Sequence, residues 1–241
     1  MFKILILAGG SGRRMKKLNN IPKVFQYIDG KPMLCHLIDK FFLLGFKDED
    51  INIIFSNETY EYSKKIFNNR NFNIVIQKSS NGTGGAVLAA LEDNNLFLDD
   101  DILLICNGDN PFISIDTLQN IMKYRDPTLS IMKVDNPSGY GRIILENDMI
   151  VNIIEEKDCN NRQKEIDLVN TAIYIVPFNI LKVIIKKIDT DNAQNEYYLT
   201  DIVTHHSFKP FYINNIDECF NINTPEQLET GKELYKKINY K

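Results

Sequence analysis

The 241-residue sequence has no tryptophan and only four cysteines, and its 28 basic residues are outnumbered by 32 acidic ones. Cys35, Cys106, Cys159 and Cys219 lie far apart without a CxxC pair, which excludes a zinc knuckle and a disulfide framework. The net charge of -4 gives no overall positive field that would attract nucleic acid. An anionic ligand must therefore be held by a local cluster of donors.

Long apolar runs are also missing from the sequence. No segment approaches the roughly 20 consecutive apolar residues that span a bilayer. The first apolar run, residues 2–8, stops at a glycine pair and lacks the cleavage site of a signal peptide. We therefore expect a cytoplasmic protein with no membrane partner. The composition, 44% hydrophobic and 25% charged, is typical of a globular chain with a sizeable core.

Strand-like and helix-like segments alternate through residues 1–126. Continuous apolar strands bounded by helical patterns are typical of a parallel sheet with helices on both faces. The predicted strands are 4–8, 51–55, 72–76 and 102–106, and the predicted helices are 33–45, 60–67 and 86–91.

The pattern changes in residues 127–241, where short β-rich segments follow each other closely. They are 129–134, 142–145, 149–154 and 169–176, with one helix near 178–188. A last helix is predicted from Pro225 to about Lys237, because Thr224, Pro225 and Gln227 form an N-terminal capping pattern. We interpret this half as an antiparallel extension of the same sheet, so that residues 1–241 form a single domain.

The first motif with chemical content follows the first strand. Gly9 and Gly10 would let backbone N–H groups approach an anion, and Arg14 and Lys23 supply cations suited to phosphate oxygens. A glycine turn followed by a solvated basic loop is an equally good interpretation of this segment alone. A dinucleotide-binding fingerprint fits poorly, because Met15 replaces its third glycine. A P-loop is excluded by the absence of Gly-Lys-Ser/Thr.

A second motif joins a strand-terminal glutamine to a glycine cluster that opens a helix. Gln77 offers both a donor and an acceptor, which suits the edge of a nucleobase. Gly82 and the glycines after it would let a base or ribose lie against the backbone. Taken alone, the motif is better read as a loop with a glycine-rich helix start.

The third motif is Asn107-Gly108-Asp109, directly after the fourth predicted strand. A carboxylate at this end of a parallel strand lies where α/β sheets bind their ligands. Near phosphates such a carboxylate commonly holds Mg²⁺, whereas the structural alternative is an aspartate in a tight turn.

Together with later blocks, these motifs resemble the signature of the nucleotide-sugar pyrophosphorylases. The sequence is most similar to the uridyltransferase domain of the bacterial bifunctional N-acetylglucosamine-1-phosphate uridyltransferases, in order and over nearly the whole chain. The matching blocks are the glycine-rich opening with Arg14 and Lys23, Gln77 with Gly82-Thr83, Gly108-Asp109, Gly139-Tyr140-Gly141-Arg142-Ile143, Glu155 with Lys157-Asp158, Asn170-Thr171, Glu196-Tyr197-Tyr198-Leu199-Thr200-Asp201, and Asn223.

The resemblance implies a Rossmann-like nucleotidyltransferase fold, α/β with a mixed, mostly parallel sheet flanked by helices. Residues 1–126 would be the nucleotide-binding half and residues 127–241 the sugar-binding half. Position by position, it implies nucleotide binding by Ala8, Gly9, Gly10, Gln77, Gly82 and Thr83, catalysis by Arg14 and Lys23, Mg²⁺ binding by Asp109 and Asn223, and sugar binding by Gly141, Glu155 and Asn170.

The implied activity is Mg²⁺-dependent transfer of a uridylyl group from UTP to N-acetylglucosamine 1-phosphate. Asn107 stands where the bacterial members carry an aromatic residue, and Gly85 where they carry histidine. The same chemistry on another pair, such as CTP and a different phosphorylated metabolite, is therefore the alternative. A non-catalytic nucleotide-sugar sensor and a dinucleotide-dependent oxidoreductase are the more distant ones.

The resemblance also bears on partners and further domains. The partners are expected to be small molecules, a nucleoside triphosphate and a sugar 1-phosphate, bound by a monomer or small homo-oligomer. The sequence contains no hexapeptide repeats, so we expect no C-terminal β-helix and no acetyltransferase half.

Overall fold

The fold comes from a computed structural model, which describes residues 1–10, 12, 14, 15, 19–92 and 96–239. The strands are β1 (Phe2–Leu7), β2 (Tyr27–Ile28), β3 (Lys31–Pro32), β4 (Ile51–Ser56), β5 (Asn73–Gln77), β6 (Ile102–Asn107), β7 (Thr128–Lys133), β8 (Arg142–Glu146), β9 (Met149–Ile154), β10 (Leu168–Pro177) and β11 (Lys209–Tyr212). The α-helices are α1 (Met33–Leu43), α2 (Asn57–Ile66), α3 (Gly82–Leu91), α4 (Ile115–Ile121), α5 (Phe178–Ile184), α6 (Ile202–His205) and α7 (Pro225–Asn239).

The parallel part of the main sheet has the spatial order β5, β4, β1, β6. β1 pairs in parallel with both β4 and β6, and β4 pairs in parallel with β5. A helix follows each of these strands before the next one begins, as right-handed parallel crossovers require. The predicted parallel sheet flanked by helices is confirmed.

The antiparallel part continues the same sheet beyond β6. β10 runs antiparallel to both β6 and β7, and β8 pairs with β9 as a hairpin at the side of β10. The predicted extension of the sheet is therefore confirmed. The edge strand β11 lies parallel to β7 and was not predicted, because its four residues, Lys-Pro-Phe-Tyr, carry no alternating pattern.

The alternation of side chains along each strand divides the core between the two faces of the sheet. Ile4 and Ile6 of β1 are fully buried on the face that Phe41 of α1 covers. Leu5 points to the opposite face and joins Val87 of α3. β1 is thus buried on both faces, which explains its continuous apolar sequence. None of the helices formed by the described residues is long and apolar enough to span a membrane.

The start of α7 is fixed by the predicted capping pattern. The Gln227 N–H donates to the Thr224 hydroxyl at 3.3 Å, and the Gln227 side-chain oxygen accepts from the N–H of Thr224 at 3.1 Å. The same oxygen accepts from the N–H of Asn223 at 2.8 Å. Leu228 and Ile222 anchor this end of the helix in a small apolar cluster. The backbone of Asn223 is therefore held on both sides.

The parallel strands all end at one edge of the sheet. Leu7, Ser56, Gln77 and Asn107 are the last residues of β1, β4, β5 and β6. Loops that leave this edge lie where open α/β sheets bind ligands.

Candidate active site

A cleft of about 730 Å³ opens at the carboxyl edge of the parallel strands. Nine of the predicted site residues line it: Gly9, Gly10, Arg14, Lys23, Gln77, Gly82, Thr83, Asp109 and Asn223. They come from four separate parts of the chain, and the fold brings them together around one cavity.

One lysine in the wall of the cleft is held between two oxygen-bearing side chains. The Lys23 ammonium forms an ion pair with the Asp109 carboxylate and donates a hydrogen bond to Asn223 Oδ1 at 2.7 Å. The side chains of Lys23 and Asp109 are each 16% exposed. Asp109 follows β6, whereas Asn223 precedes α7, so only the tertiary fold makes these two oxygens converge on one cation.

The local charge of the cleft differs from that of the whole chain. Arg14, Lys23 and Lys157 line it, against the carboxylates of Asp109 and Glu196. On the part of the wall that the structure describes, cations therefore outnumber carboxylates, although the chain carries a net charge of -4. Such a local excess of positive charge suits a polyanionic ligand.

The second half of the chain contributes a wall that was not predicted as a site. Lys157, Ala193, Gln194 and Glu196 line the cleft, and the Lys157 ammonium donates to the Gln194 side-chain oxygen. Lys157 stands two residues after Glu155 in a matched block, and Gln194 two residues before another block. Lys157 and Glu196 therefore belong to matched blocks, whereas Ala193 and Gln194 are indicated only by their proximity to one.

The glycine turn that opens α3 has a structural task. Gly82 has a φ of +93°, and a Cβ atom there would lie 2.3 Å from the Tyr197 carbonyl oxygen. The Gly84 N–H donates to that oxygen at 2.8 Å, and the Tyr197 N–H donates to the Asn81 carbonyl at 2.8 Å. These glycines therefore let the chain around Tyr197 dock on the start of α3. This agrees with the structural interpretation of the motif as a glycine-rich helix start.

The first glycine-rich turn presents part of its backbone to the cleft. Gly9 and Gly10 line the wall, and a Cβ atom at Gly10 would meet nothing within 4 Å. Ala8 is buried beneath them, and its N–H already donates to the Ile54 carbonyl at 2.8 Å. The Ala8 amide is thus used by the sheet, which leaves the two glycines as the exposed part of this turn.

The three predicted sugar-binding residues form a separate cluster. The Asn170 N–H donates to the Gly141 carbonyl at 2.9 Å, and Glu155 lies beside Gly141 and accepts from the Thr200 hydroxyl at 3.0 Å. Burial raises the pKa of Glu155, and the Thr200 hydrogen bond opposes that shift. The structure brings the three residues together but places none of them in the wall of the cleft.

This cluster is nevertheless connected to the cleft wall. The N–H of Leu199, the residue before Thr200, donates to the Thr83 hydroxyl at 3.0 Å.

Asn170 lies where the pairing of β10 with β7 is irregular, and Ala172 nearby has a φ of +61°. A bulge of this kind redirects side chains at the end of a regular ladder.

Comparison with known proteins identifies the family. Residues 4–144 match the MobA-like NTP transferase domain. The chain belongs to this family. A protein of Acanthamoeba polyphaga mimivirus named "Probable UDP-N-acetylglucosamine pyrophosphorylase" is 39% identical, over 97% of this chain and 96% of the viral protein. This nucleotidyltransferase is also 36% identical to the bifunctional protein GlmU of a Nitratiruptor species, over 88% of the present chain.

The chain spans about half the length of that bacterial relative, 49% of which is covered.

Solved structures share the fold of this nucleotidyltransferase at low sequence identity. A Bacillus anthracis structure assigned as a glucose-1-phosphate thymidylyltransferase has a TM-score of 0.77, 20% identity, and covers 100% of this chain and 98% of its own. A UDP-glucose pyrophosphorylase complexed with UDP-glucose has a TM-score of 0.74 at 20% identity, and covers 99% of this chain and 100% of its own.

Proposed function

We propose that this nucleotidyltransferase transfers a uridylyl group from UTP to N-acetylglucosamine 1-phosphate, giving UDP-N-acetylglucosamine and pyrophosphate. The observation that carries the proposal is the Lys23–Asp109–Asn223 arrangement in a cleft with excess positive charge. The choice of base and sugar is supported by the near full-length similarity to the mimivirus protein of that name.

The reaction needs no nucleophile from the protein. An oxygen of the sugar phosphate, already anionic, attacks the α-phosphorus of UTP, so that a new P–O bond forms. The bond from the α-phosphorus to the bridging oxygen breaks, and pyrophosphate leaves with the electron pair. The difficulty is to bring two anions together and to stabilise the developing charge, which calls for positioned cations.

Arg14 and Lys23 are the residues that would hold the triphosphate. Both line the cleft, and the Lys23 ammonium is kept inside it by Asp109 and Asn223. A guanidinium can engage phosphate oxygens in bidentate fashion, and an ammonium acts as a compact charge. Gly9, Gly10, Gln77, Gly82 and Thr83, with Ala8 beneath them, are the proposed nucleotide-binding set.

Members of this family generally use a divalent metal ion, and we assign Mg²⁺ to Asp109 and Asn223. Their oxygens fit it, because both already converge on one cation, the Lys23 ammonium. No group of three or more His, Cys, Asp or Glu in the described residues could hold a metal. Two protein oxygens, completed by phosphate and water, are a normal Mg²⁺ set. When bound, the ion neutralises phosphate charge and orients the reacting groups.

The sugar is assigned to Gly141, Glu155 and Asn170. These residues cluster together, and Thr200, which donates to Glu155, directly follows Leu199, whose N–H donates to the Thr83 hydroxyl of the cleft wall. The acetamido sugar would reach them from the phosphate site along the Thr83 side. The alternative substrate pair, CTP with another phosphorylated metabolite, is kept open by the departures at Gly85 and Asn107.

The test is pyrophosphate release from the purified protein, with four nucleoside triphosphates crossed against a panel of sugar 1-phosphates and Mg²⁺. We expect turnover with UTP and N-acetylglucosamine 1-phosphate above every other pair. Activity only with CTP would overturn the uridylyl assignment. Absence of turnover with every pair, despite nucleotide binding, would instead favour the sensor.

The metal assignment has its own variant and control. Asp109→Asn should lower turnover by about 10²–10³-fold without loss of folding, since it removes the charge of one proposed ligand. Asp50→Asn is the matched control, because Asp50 is also 16% exposed and paired with a lysine, Lys3, at the other end of β1. Equal turnover in the two variants would contradict the role of Asp109.

A further inference from the structure

The amide of Gln77, the last residue of β5, is held in one orientation. Its Nε2 donates to Asn81 Oδ1 at 2.7 Å and to the Gly82 carbonyl at 3.1 Å. A side-chain amide has two N–H donors, and both are therefore used within the protein. A flip of this amide would lose the hydrogen bond to the Gly82 carbonyl and set two acceptor oxygens against each other, and it would also oppose Asn81 Oδ1 in the orientation that Asn81 has.

The oxygen of the same amide is left for a ligand. Gln77 Oε1 forms no hydrogen bond with the described residues, and it lies 3.3 Å from the position of a Cβ atom on Gly9. Gly9 and Gln77 both line the cleft. Within the described residues, the unpaired polar atom of the Gln77 amide is therefore an acceptor, while its nitrogen is already engaged.

Asn81 holds this orientation instead of performing the task expected at its position. It precedes α3 as the N-cap residue, but its side chain accepts no hydrogen bond from the helix. Its oxygen is given to Gln77. An asparagine at a helix start normally accepts a hydrogen bond from a free backbone N–H of the helix. Here the Asn81 side chain makes no such bond and holds the Gln77 amide instead.

Gly85 provides the space that Asn81 occupies. A Cβ atom at Gly85 would lie 2.1 Å from Asn81 Oδ1 and 2.4 Å from its Cγ. The Asn81 amide group therefore lies directly over the Cα atom of Gly85. Any side chain at position 85 would displace it. This contact gives a structural reason for glycine at position 85 of this chain.

We infer that Asn81, seated over Gly85, is a positioning residue for base selection: it fixes the Gln77 amide so that only its oxygen faces the base. The inference rests on the proposed uridylyl function for the identity of that base. Uracil has an N3–H that can donate to the oxygen, whereas N3 of cytosine carries a lone pair that would repel it. Without Asn81 the amide keeps only its hydrogen bond to the Gly82 carbonyl, so its orientation is held less firmly and the discrimination between the two bases weakens.

The experiment compares kcat/KM for UTP with kcat/KM for CTP in several variants. Asn81→Ala removes one of the two acceptors of the Gln77 amide, and Gly85→Ala displaces the Asn81 side chain while leaving it in the sequence. Each should lower the UTP/CTP ratio by about tenfold, the equivalent of one hydrogen bond. Asn81→Asp keeps an oxygen at this position and should retain most of the preference. The double variant combines Asn81→Ala with Gly85→Ala. Its added methyl group at position 85 occupies space that the Asn81 side chain has left, so its UTP/CTP ratio should equal that of either single variant.

A cap control separates this role from simple support of the helix. Ser114→Ala removes a true N-cap, since the Ser114 hydroxyl accepts from the Thr117 N–H at 3.0 Å at the start of α4. It should lower the melting temperature and leave the UTP/CTP ratio unchanged. A ratio that stays at the wild-type value in both Asn81→Ala and Gly85→Ala would overturn the inference. Ratios that multiply in the double variant would also overturn it, because the two positions would then act independently.

The outcome is distinguishable from that of the proposed function. If the wild-type protein prefers CTP, the uridylyl assignment fails, but the same variants still test whether Asn81 fixes the preference that is found. If the wild type prefers UTP and the variants keep that preference, only the role of Asn81 fails. Should Asn81→Ala not fold, Gly85→Ala and Asn81→Asp carry the comparison.

Discussion

Replacement of Lys23 by methionine should change metal binding and catalysis in opposite directions. In the structure the Lys23 ammonium occupies the position on which Asp109 and Asn223 converge. A divalent ion that binds the free protein there must displace this ammonium. Methionine fills a similar volume and carries no charge, so the Lys23→Met variant leaves both oxygens free for the metal.

The size of the effect follows from the burial of the pair. Exposed ion pairs contribute less than about 1 kcal/mol, and loss of one partner from a fully buried pair costs about 3–5 kcal/mol. Lys23 and Asp109, each 16% exposed, lie between these limits. We expect about 1–2 kcal/mol, which corresponds to a dissociation constant for Mn²⁺ lowered about 5- to 30-fold. Turnover should fall by about 10²–10³-fold, since a cation for the triphosphate is lost.

The assay is titration of Mn²⁺ into the nucleotide-free protein, followed by electron paramagnetic resonance of the unbound ion. Lys3→Met is the matched control, because Lys3 is 18% exposed and pairs with Asp50 at 2.8 Å, away from the cleft. That variant should lose similar stability and keep the wild-type Mn²⁺ affinity. Weaker or unchanged Mn²⁺ binding by Lys23→Met would refute the argument that lysine and metal compete for one position.

Two further predictions concern stability. Burial and neighbouring carboxylates raise the pKa of Asp201 to about 6, so its contribution to the free energy of unfolding falls as the pH rises from about 4 to about 6. Asp201→Asn should therefore stabilise the protein by about 1 kcal/mol near pH 7, after allowance for screening, and by much less near pH 4, as urea denaturation would measure. Gly82→Ala should cost about 2–3 kcal/mol relative to Gly10→Ala, because its methyl group would lie 2.3 Å from the Tyr197 carbonyl oxygen. Equal urea midpoints for these two alanine variants would contradict that steric argument.

Much of the fold could be predicted because its signals are local. The apolar runs of β1 and β6 indicated buried parallel strands, and the Thr224 and Gln227 pattern placed the start of α7 at the residue where it begins. The hairpin of β2 and β3, the seven-residue α4 and the four-residue β11 were not predicted. Elements this short contain at most two periods of a helical or alternating pattern, so their sequences carry no usable signal.

The candidate site was predicted in its parts, and the family resemblance supplied the connection between them. Glycines after a strand, cations near them and a carboxylate after β6 are all visible in the sequence. Lys157, although part of a matched block, and Gln194 were not predicted as site residues, because the local sequence does not indicate which segments line the cleft. The proposed sugar-binding cluster of Gly141, Glu155 and Asn170 lies outside the cleft wall. The spacing of these residues along the sequence gives no information about that position.

The sequence by itself determined where most of the longer strands lie, where they open into glycine turns and how the last helix begins. These features depend on neighbours a few positions away. Only the tertiary structure decided that Lys23 lies between Asp109 and Asn223, and that Asn81 rests on Gly85 to hold Gln77. Strand order and loop docking create such contacts, and a pattern with a period of two or 3.6 residues contains no information about them.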